Sequence, residues 1–353
     1  MSILFAVLLF SLLIFVHELG HFLAAKKFGV QVNEFSMFMG PAIFKKQVGE
    51  TVYSLRCIPV GGFCAMEGED GDSENPRAFG RAAWWKRLII LLAGATTNFV
   101  VGLLILLIVF APAKNFVMPE ISAAEPGSAV ISEHGLQVGD RILKVDGERV
   151  YVQSDFSMLL SMNPGDVHDI VVLRNGKRVE LNDFYMEKRE FTDPDGTTSL
   201  RYGFQFAVKD ADLLTTLGYV WNTALNMVRN VRLSLQMIFT GQAGLKDMSG
   251  PVGIVQIMST TAEASETSLD AFMNMMYFGG FIAINLAVMN LLPVPALDGG
   301  RALCLLLTTA VEKVTRKKID PKYEGYLHGV GMILLLGLMA ILMFKDIFVI
   351  FKG

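Results

Sequence analysis

Charge is scarce in this chain: Asp, Glu, Lys and Arg make up 18% of the 353 residues, where an average soluble domain carries about a quarter. Cysteine is scarcer still. Cys57, Cys64 and Cys304 are scattered, with no Cys-x-x-Cys pair. That excludes a disulfide framework and a thiolate zinc site, and leaves three ordinary small residues. The formal net charge is only -3, which makes no electrostatic case for a nucleic-acid partner. A basic stretch before the first apolar run is also missing, because that run opens at Ile3. No small-x-small pattern closes it, so it reads as a retained membrane helix and not as a cleaved leader.

Apolar residues are abundant, at 52% of the chain. Lipid is the simplest place for that surplus surface. A spanning helix needs roughly 20 mostly apolar residues, set by a hydrocarbon layer about 30 Å thick. Four segments qualify: 3–25, 88–111, about 271–297, and 327–344. Lys and Arg concentrate in the loop between the first two (Lys26, Lys27, Lys45, Lys46, Arg56, Arg77, Arg81, Lys86, Arg87). They also concentrate between the last two (Arg301, Lys313, Arg316, Lys317, Lys318, Lys322). Short basic loops stay cytoplasmic. Both termini and the long 112–270 region are then expected outside.

Between the spans the pattern changes. Residues 30–66 hold strand-like runs such as Thr51–Arg56, with turn signals at Gly40-Pro41 and at Gly61-Gly62. A β-hairpin or small sheet against the membrane core is expected there. From about 115 to 186 short β-rich runs alternate with Asp146-Gly147 and Asn175-Gly176 turns, and one short helix is expected over 155–161. Residues 187–199 are charged and turn-rich and read as a mobile insertion, before a further strand at Tyr202–Phe206. Residues 212–240 carry Leu213, Leu217, Val220, Leu225, Val228 and Val231 near a 3.6 period, but too many polar groups to span. An interfacial helix fits better.

The chemistry starts at His17-Glu18-Leu19-Gly20-His21. Residues four apart share a helix face, so both imidazoles can reach one metal ion. Glu18 sits beside them, placed to act as general base without ligating. Chance spacing is the bland alternative. It loses weight because two imidazoles and a carboxylate inside an apolar segment are costly and usually mark function. A catalytic zinc also needs a third protein ligand. Asp298, in Asn290-Leu-Leu-Pro-Val-Pro-Ala-Leu-Asp298-Gly-Gly300, is the outstanding acid of the other apolar segments. The prolines break the helix and the glycines permit a tight turn. An ordinary helix-ending Asp is the alternative, but His21 and Asp298 both lie just before basic, cytoplasmic-side residues. One zinc ion held by His17, His21 and Asp298 is therefore expected near the cytoplasmic face.

HELGH, the LDG-containing NLLPVPALDGG and the Ser249-Gly-Pro-Val-Gly-Ile254 segment resemble the site-2 protease family, and within it the bacterial RseP-type regulators of intramembrane proteolysis. Met39-Gly-Pro41 and Ile58-Pro-Val-Gly-Gly-Phe63 resemble that family's membrane-associated β-loop. Gly94-Ala-Thr-Thr-Asn98 resembles its second-span motif, with Ala95 where Pro is common. Residues 115–206 resemble a circularly permuted bacterial PDZ domain in a single copy, on Pro126–Ala129 and Gly135–Ile142.

The resemblance implies a polytopic α-helical membrane protein with four transmembrane helices, a membrane-associated β-hairpin or sheet and an inserted extracytoplasmic α+β PDZ-like domain. The parts are 1–111, 115–206, 207–270 and 271–353. It implies a zinc endopeptidase of a bacterial cytoplasmic membrane, acting on single-pass proteins such as anti-sigma factors already trimmed by a site-1 protease. Candidate substrate contacts are Asn98, Asn290, Gly61 and Gly62, and Tyr202, Gly203 and Phe204 of the PDZ-like module. For Asn98 and Asn285, bonding between helices is an equal alternative. Two rival readings stand beside this one: a quality-control zincin whose site opens on the cytosol, and a non-catalytic PDZ scaffold.

Overall fold

The computed structural model describes residues 2–69, 71, 73–163, 165–192, 196–244, 246–316 and 322–352. In chain order the elements are α1 (Ser2–Phe28), β1 (Val32–Val48), β2 (Thr51–Met66), a short 3-10 turn (Phe79–Arg81), α2 (Trp84–Phe110) and β3 (Asn115–Ala124). There follow β4 (Arg141–Val145), β5 (Glu148–Arg149), α3 (Gln153–Met162), β6 (Val167–Arg174), β7 (Lys177–Tyr185), β8 (Arg189–Thr192), β9 (Thr198–Arg201) and β10 (Phe204–Asp210). The chain closes with α4 (Leu213–Phe239), α5 (Pro251–Glu263), α6 (Ser268–Asn290), α7 (Asp298–Thr315) and α8 (Lys322–Lys352). These form two units, one of residues 1–109 with 230–353, the other of residues 110–229.

Among the described residues four helices are long and apolar enough to cross a membrane: Phe5–Phe28, Trp84–Phe110, Ser268–Asn290 and Tyr323–Val349. Each overlaps an apolar run read from the sequence. The third stops sooner than expected, at Asn290 and not Leu297. Pro293 and Pro295 lack amide donors, and each disfavours helical backbone in the residue before it, so 291–297 leaves the helix. A new helix, α7, then begins at Asp298.

In the first unit α1 is shared by two cores. Its C-terminal half packs Ala25 with Phe35 and Cys64 of the sheet, Ile90 and Leu91 of α2, and Ala302 and Leu305 of α7. Its N-terminal half packs Ala6, Leu9 and Leu13 with Ile105 of α2, Met258 of α5 and Ile282 and Ala283 of α6. The sheet of β1 and β2 is more folded than a plain hairpin. Residues 34–37 of β1 pair with 62–65 of β2 on one side and with 52–55 on the other. At its turn, Glu50 binds Lys26 of α1 at 2.6 Å and Arg77 at 2.5 Å. These cations hold the Glu50 carboxyl down at about 2, well below its usual range.

In the second unit the strand order is β10-β3-β4-β6-β7, with β5 paired to β4, all antiparallel. His168, Ile170 and Val172 alternate inward along β6, as the period of a strand dictates. Phe156 of α3 is fully buried and packs against Tyr202, Phe204 and Phe206. The expected helix at 155–161 is thus α3, and the expected strand at 202–206 starts at Phe204. The segment read as a mobile insertion is a paired hairpin, β8 with β9; residues 193–195 lie outside the described residues.

Candidate metal centre

His17 and His21 lie one turn apart on α1, with ring centroids 4.8 Å apart and planes nearly perpendicular. Their Nε2 atoms are 3.2 Å apart. Both rings lie against α2 where it has no side chain. A methyl group at Gly94 would overlap Nε2 of His21 and sit 2.7 Å from Cε1 of His17. Gly20, between the two histidines, allows the same close approach from the α1 side, because a Cβ there would lie 2.6 Å from the Ala93 carbonyl. Nδ1 of His21 lies 2.8 Å from the carbonyl oxygen of Ile90. A carbonyl only accepts, so Nδ1 carries the proton and Nε2 keeps a free lone pair.

Asp298 reaches the pair from the first residue of α7. Its Oδ2 is 3.0 Å from Nε2 of His17 and 3.2 Å from Nε2 of His21. The turn is tight: Cβ atoms at Gly299 and Gly300 would collide with the backbone of residues 291–294. Two glycines thus let α7 start directly under the end of α6. Ala296 takes a left-handed backbone, φ 78°, to complete the reversal.

Three donor atoms therefore stand at the corners of a triangle with edges of 3.0–3.2 Å. Zinc bonds of about 2.0–2.1 Å in a tetrahedron place ligand atoms about 3.3 Å apart. The donor set, two imidazoles and one carboxylate, also suits zinc. Oδ2 of Asp298 is buried and has no hydrogen-bond partner among the described residues. A cation would satisfy it. Among those residues, this is the group of three or more such side chains close enough to hold a metal ion.

His17 and Asp298 line a cavity of about 240 Å³ together with Ile14, Glu18, Asn98, Leu286, Asn290, Ala296 and Leu297, and His21 stands behind them, 3.2 Å from each. Glu18 sits on this cavity on the side of β2, its Cγ 3.7 Å from where a Cβ on Gly62 would lie. Asn98 is 1% exposed, and neither its amide nitrogen nor its amide oxygen has a partner among the described residues. Six residues singled out from the sequence, His17, Glu18, His21, Asn98, Asn290 and Asp298, thus meet at one place. Asn285 does not: its side-chain amide donates to the Phe281 carbonyl one turn back, 2.9 Å away. Gly61 turns the chain with φ 80° and packs on Met39. Tyr202, Gly203 and Phe204 belong to the other unit.

Two features carried no signal that sequence reading used. Arg301, counted only as a loop charge, pairs with Glu69 and ties α7 to the end of β2. Met66 of β2 donates its amide toward the same Glu69, at 3.4 Å. The second is His328 of α8, whose Nδ1 accepts the backbone amide of Ala296 at 3.0 Å.

The profile of peptidase family M50 matches residues 5–338. The chain is similar to a protein described as a candidate zinc metalloprotease of Clostridium perfringens, 36% identical over 349 residues and covering 98% of each chain. It is similar to a counterpart of like description in Fusobacterium nucleatum, 34% identical over 358 residues and covering the whole of both. It is also similar to the regulator of sigma-W protease RasP of Bacillus subtilis, 26% identical over 426 residues and covering 97% of each.

Proposed function

This chain belongs to peptidase family M50, and from that premise we propose that it hydrolyses a peptide bond in or near the transmembrane segment of single-pass membrane proteins. It is a zinc-dependent metalloendopeptidase, and its four apolar helices make it a multi-pass membrane protein. That sets aside the non-catalytic scaffold.

The observation that carries the proposal is the convergence of His17, His21 and Asp298 within 3.2 Å, from two separate helices, beside Glu18 in one cavity. His17, His21 and Asp298 would hold a zinc ion, which would supply a Lewis acid and bring the pKa of water down toward neutrality. Glu18 is the proton carrier: it takes the proton of the attacking water and returns it to the leaving amine. The Ile90 carbonyl holds His21 in the tautomer that ligates.

A helical substrate keeps its carbonyls bonded to itself, so it must unwind before cleavage. Asn98 and Asn290 on the cavity wall are the groups proposed to bind the freed backbone, and β2 around Gly61 and Gly62 is the strand proposed to pair with it. Residues 115–206 act as a PDZ-like module that adds a peptide strand along β10 near Tyr202, Gly203 and Phe204. In its favour, β10 ends the strand order and an aromatic cluster lies beneath it. The remaining parts are 1–111, 207–270 and 271–353. The basic loops favour termini outside and a site near the cytoplasmic face. Substrates of the anti-sigma class, pre-trimmed by a site-1 protease, follow from the same reading.

The test is co-expression of wild type or Glu18→Gln with a trimmed single-pass substrate, with detection of its cytoplasmic fragment. The fragment is expected from wild type alone; equal yields overturn the proposal. Asp298→Ala separates the rival zincin, which would keep its zinc and activity.

A further inference from the structure

The third metal ligand is only as well placed as the loop before it. That loop, 291–297, has no regular structure and contains a strained residue. Ala296 has φ 78°, a region that a side chain disfavours. Such backbone persists only where its surroundings hold it.

The holder is α8. His328 is 8% exposed, and its Nδ1 accepts the N–H of Ala296 at 3.0 Å. One turn further along the same helix, Gly331 lies against the other end of the same peptide. A Cβ there would sit 2.7 Å from the Pro295 carbonyl oxygen and 2.5 Å from the Pro295 Cβ. The Pro295–Ala296 peptide is thus gripped at its N–H by an imidazole and at its C=O by bare helix backbone. Turning this peptide changes φ of Ala296, and with it the direction in which Leu297 and Asp298 leave the loop. The accepting Nδ1 puts the ring proton on Nε2, which faces Glu324 Oε1 at 3.8 Å.

We propose that His328 is a positioning residue for the metal centre: by fixing the 295–296 peptide from α8, it aims the Asp298 carboxylate at the ion. The inference rests on the ligand set proposed above. His328 lies on a different helix from all three ligands. Groups that orient a metal ligand typically contribute about 10–100-fold in affinity.

The test is zinc affinity of the full-length protein in detergent, by competition with a chromophoric chelator, and the visible spectrum of the cobalt(II) form. His328→Leu removes the acceptor at similar size. His328→Asn keeps one, since its Oδ1 overlies Nδ1. The leucine variant is expected to bind zinc at least tenfold more weakly with an altered cobalt spectrum. The asparagine variant is expected to stay within about threefold of wild type with the wild-type spectrum. Wild-type affinity and spectrum in the leucine variant, or an asparagine variant as weak as leucine, overturns the inference. Should the leucine variant not fold, His328→Gln replaces it, with the same expected and overturning results, because its side-chain amide overlies Nε2 and leaves no acceptor at the place of Nδ1. Asp298→Ala is the control that separates the two readings. If it binds zinc as wild type does, the ligand set itself is wrong. If it loses zinc while His328→Leu does not, only the positioning role is.

Discussion

Gly94→Ala is the smallest change expected to disable the centre, and its size can be worked from distances. The new Cβ would lie 2.7 Å from Cε1 and 2.9 Å from Nδ1 of His17, and would overlap Nε2 of His21. Ordinary carbon contacts begin at about 3.5 Å, so the imidazoles must retreat by about 1 Å or the helices must part. Parting is opposed on the α1 side, where Gly20 already lies against Ala93 and Thr97 of α2. Overpacking of this kind costs about 1–3 kcal/mol. A ligand displaced by about 1 Å loses on the order of 10²-fold in rate. The expected pattern is a protein that folds, binds zinc about 10–100-fold more weakly and cleaves about a hundredfold more slowly. The assays are chelator competition and cleavage of a trimmed single-pass substrate in detergent. An alanine variant with zinc affinity and cleavage rate within threefold of wild type would refute the close contact between α2 and the two rings.

Three further outcomes are expected. Glu18→Gln keeps full zinc content, measured by atomic absorption, and cleaves about 10²–10⁴-fold more slowly, the usual range for a lost general base; loss of zinc would make Glu18 a ligand. Asn98→Leu removes two buried amide atoms that have no partner among the described residues. Its melting temperature is expected to hold or rise while cleavage falls at least about tenfold; a lower melting temperature with full activity would make Asn98 a structural residue. Glu50, held at about 2 against an ordinary 4.5, binds fewer protons folded than unfolded between those values. Its contribution to stability is whole above about pH 4.5 and lost as the pH falls through about 2. The melting temperature of wild type should exceed that of Glu50→Gln at pH 7, and the gap should close toward pH 2; a gap independent of pH counts against the contact with Lys26 and Arg77.

The side chains that converge at the candidate metal centre are legible in the sequence because lipid makes them conspicuous. A histidine, glutamate or aspartate in an apolar run has few cheap reasons to be there, and a spacing of four on a helix fixes which groups meet. The four apolar helices were readable for the same reason, since a 20-residue run has one main use. Local turn chemistry gave the Asp146-Gly147 turn, where Asp146 does take φ 48°. Local pattern failed where a competing local rule or a distant partner decides. The third apolar run extends by hydropathy to Leu297, but the helix break that Pro293 and Pro295 signal falls before both of them, at Asn290. The hairpin β8–β9 was read as loose because its charged, turn-rich residues carry no alternation.

What holds the chemistry in place was the least legible, for one physical reason. Gly94, Gly299 and Gly300 act by being absent side chains, and Ala296 by a backbone angle. Gly299 and Gly300 are legible as a tight turn and Gly94 as part of a motif, but which atoms each makes room for is set by the fold, and Ala296 carries no signal in the sequence. Arg301 and His328 do carry polar groups, but their partners lie 232 and 32 residues away, and only the fold says which. The division has a consequence for variants. Exchanging a proposed ligand is expected to abolish the site, whereas a methyl group added beside it shifts donor atoms standing only 3.0–3.2 Å apart. Close packing on both sides leaves such an addition little room to relax, so a methyl group on the glycines at Gly94, Gly299 and Gly300 is expected to weaken the site in part, where loss of a proposed ligand removes it.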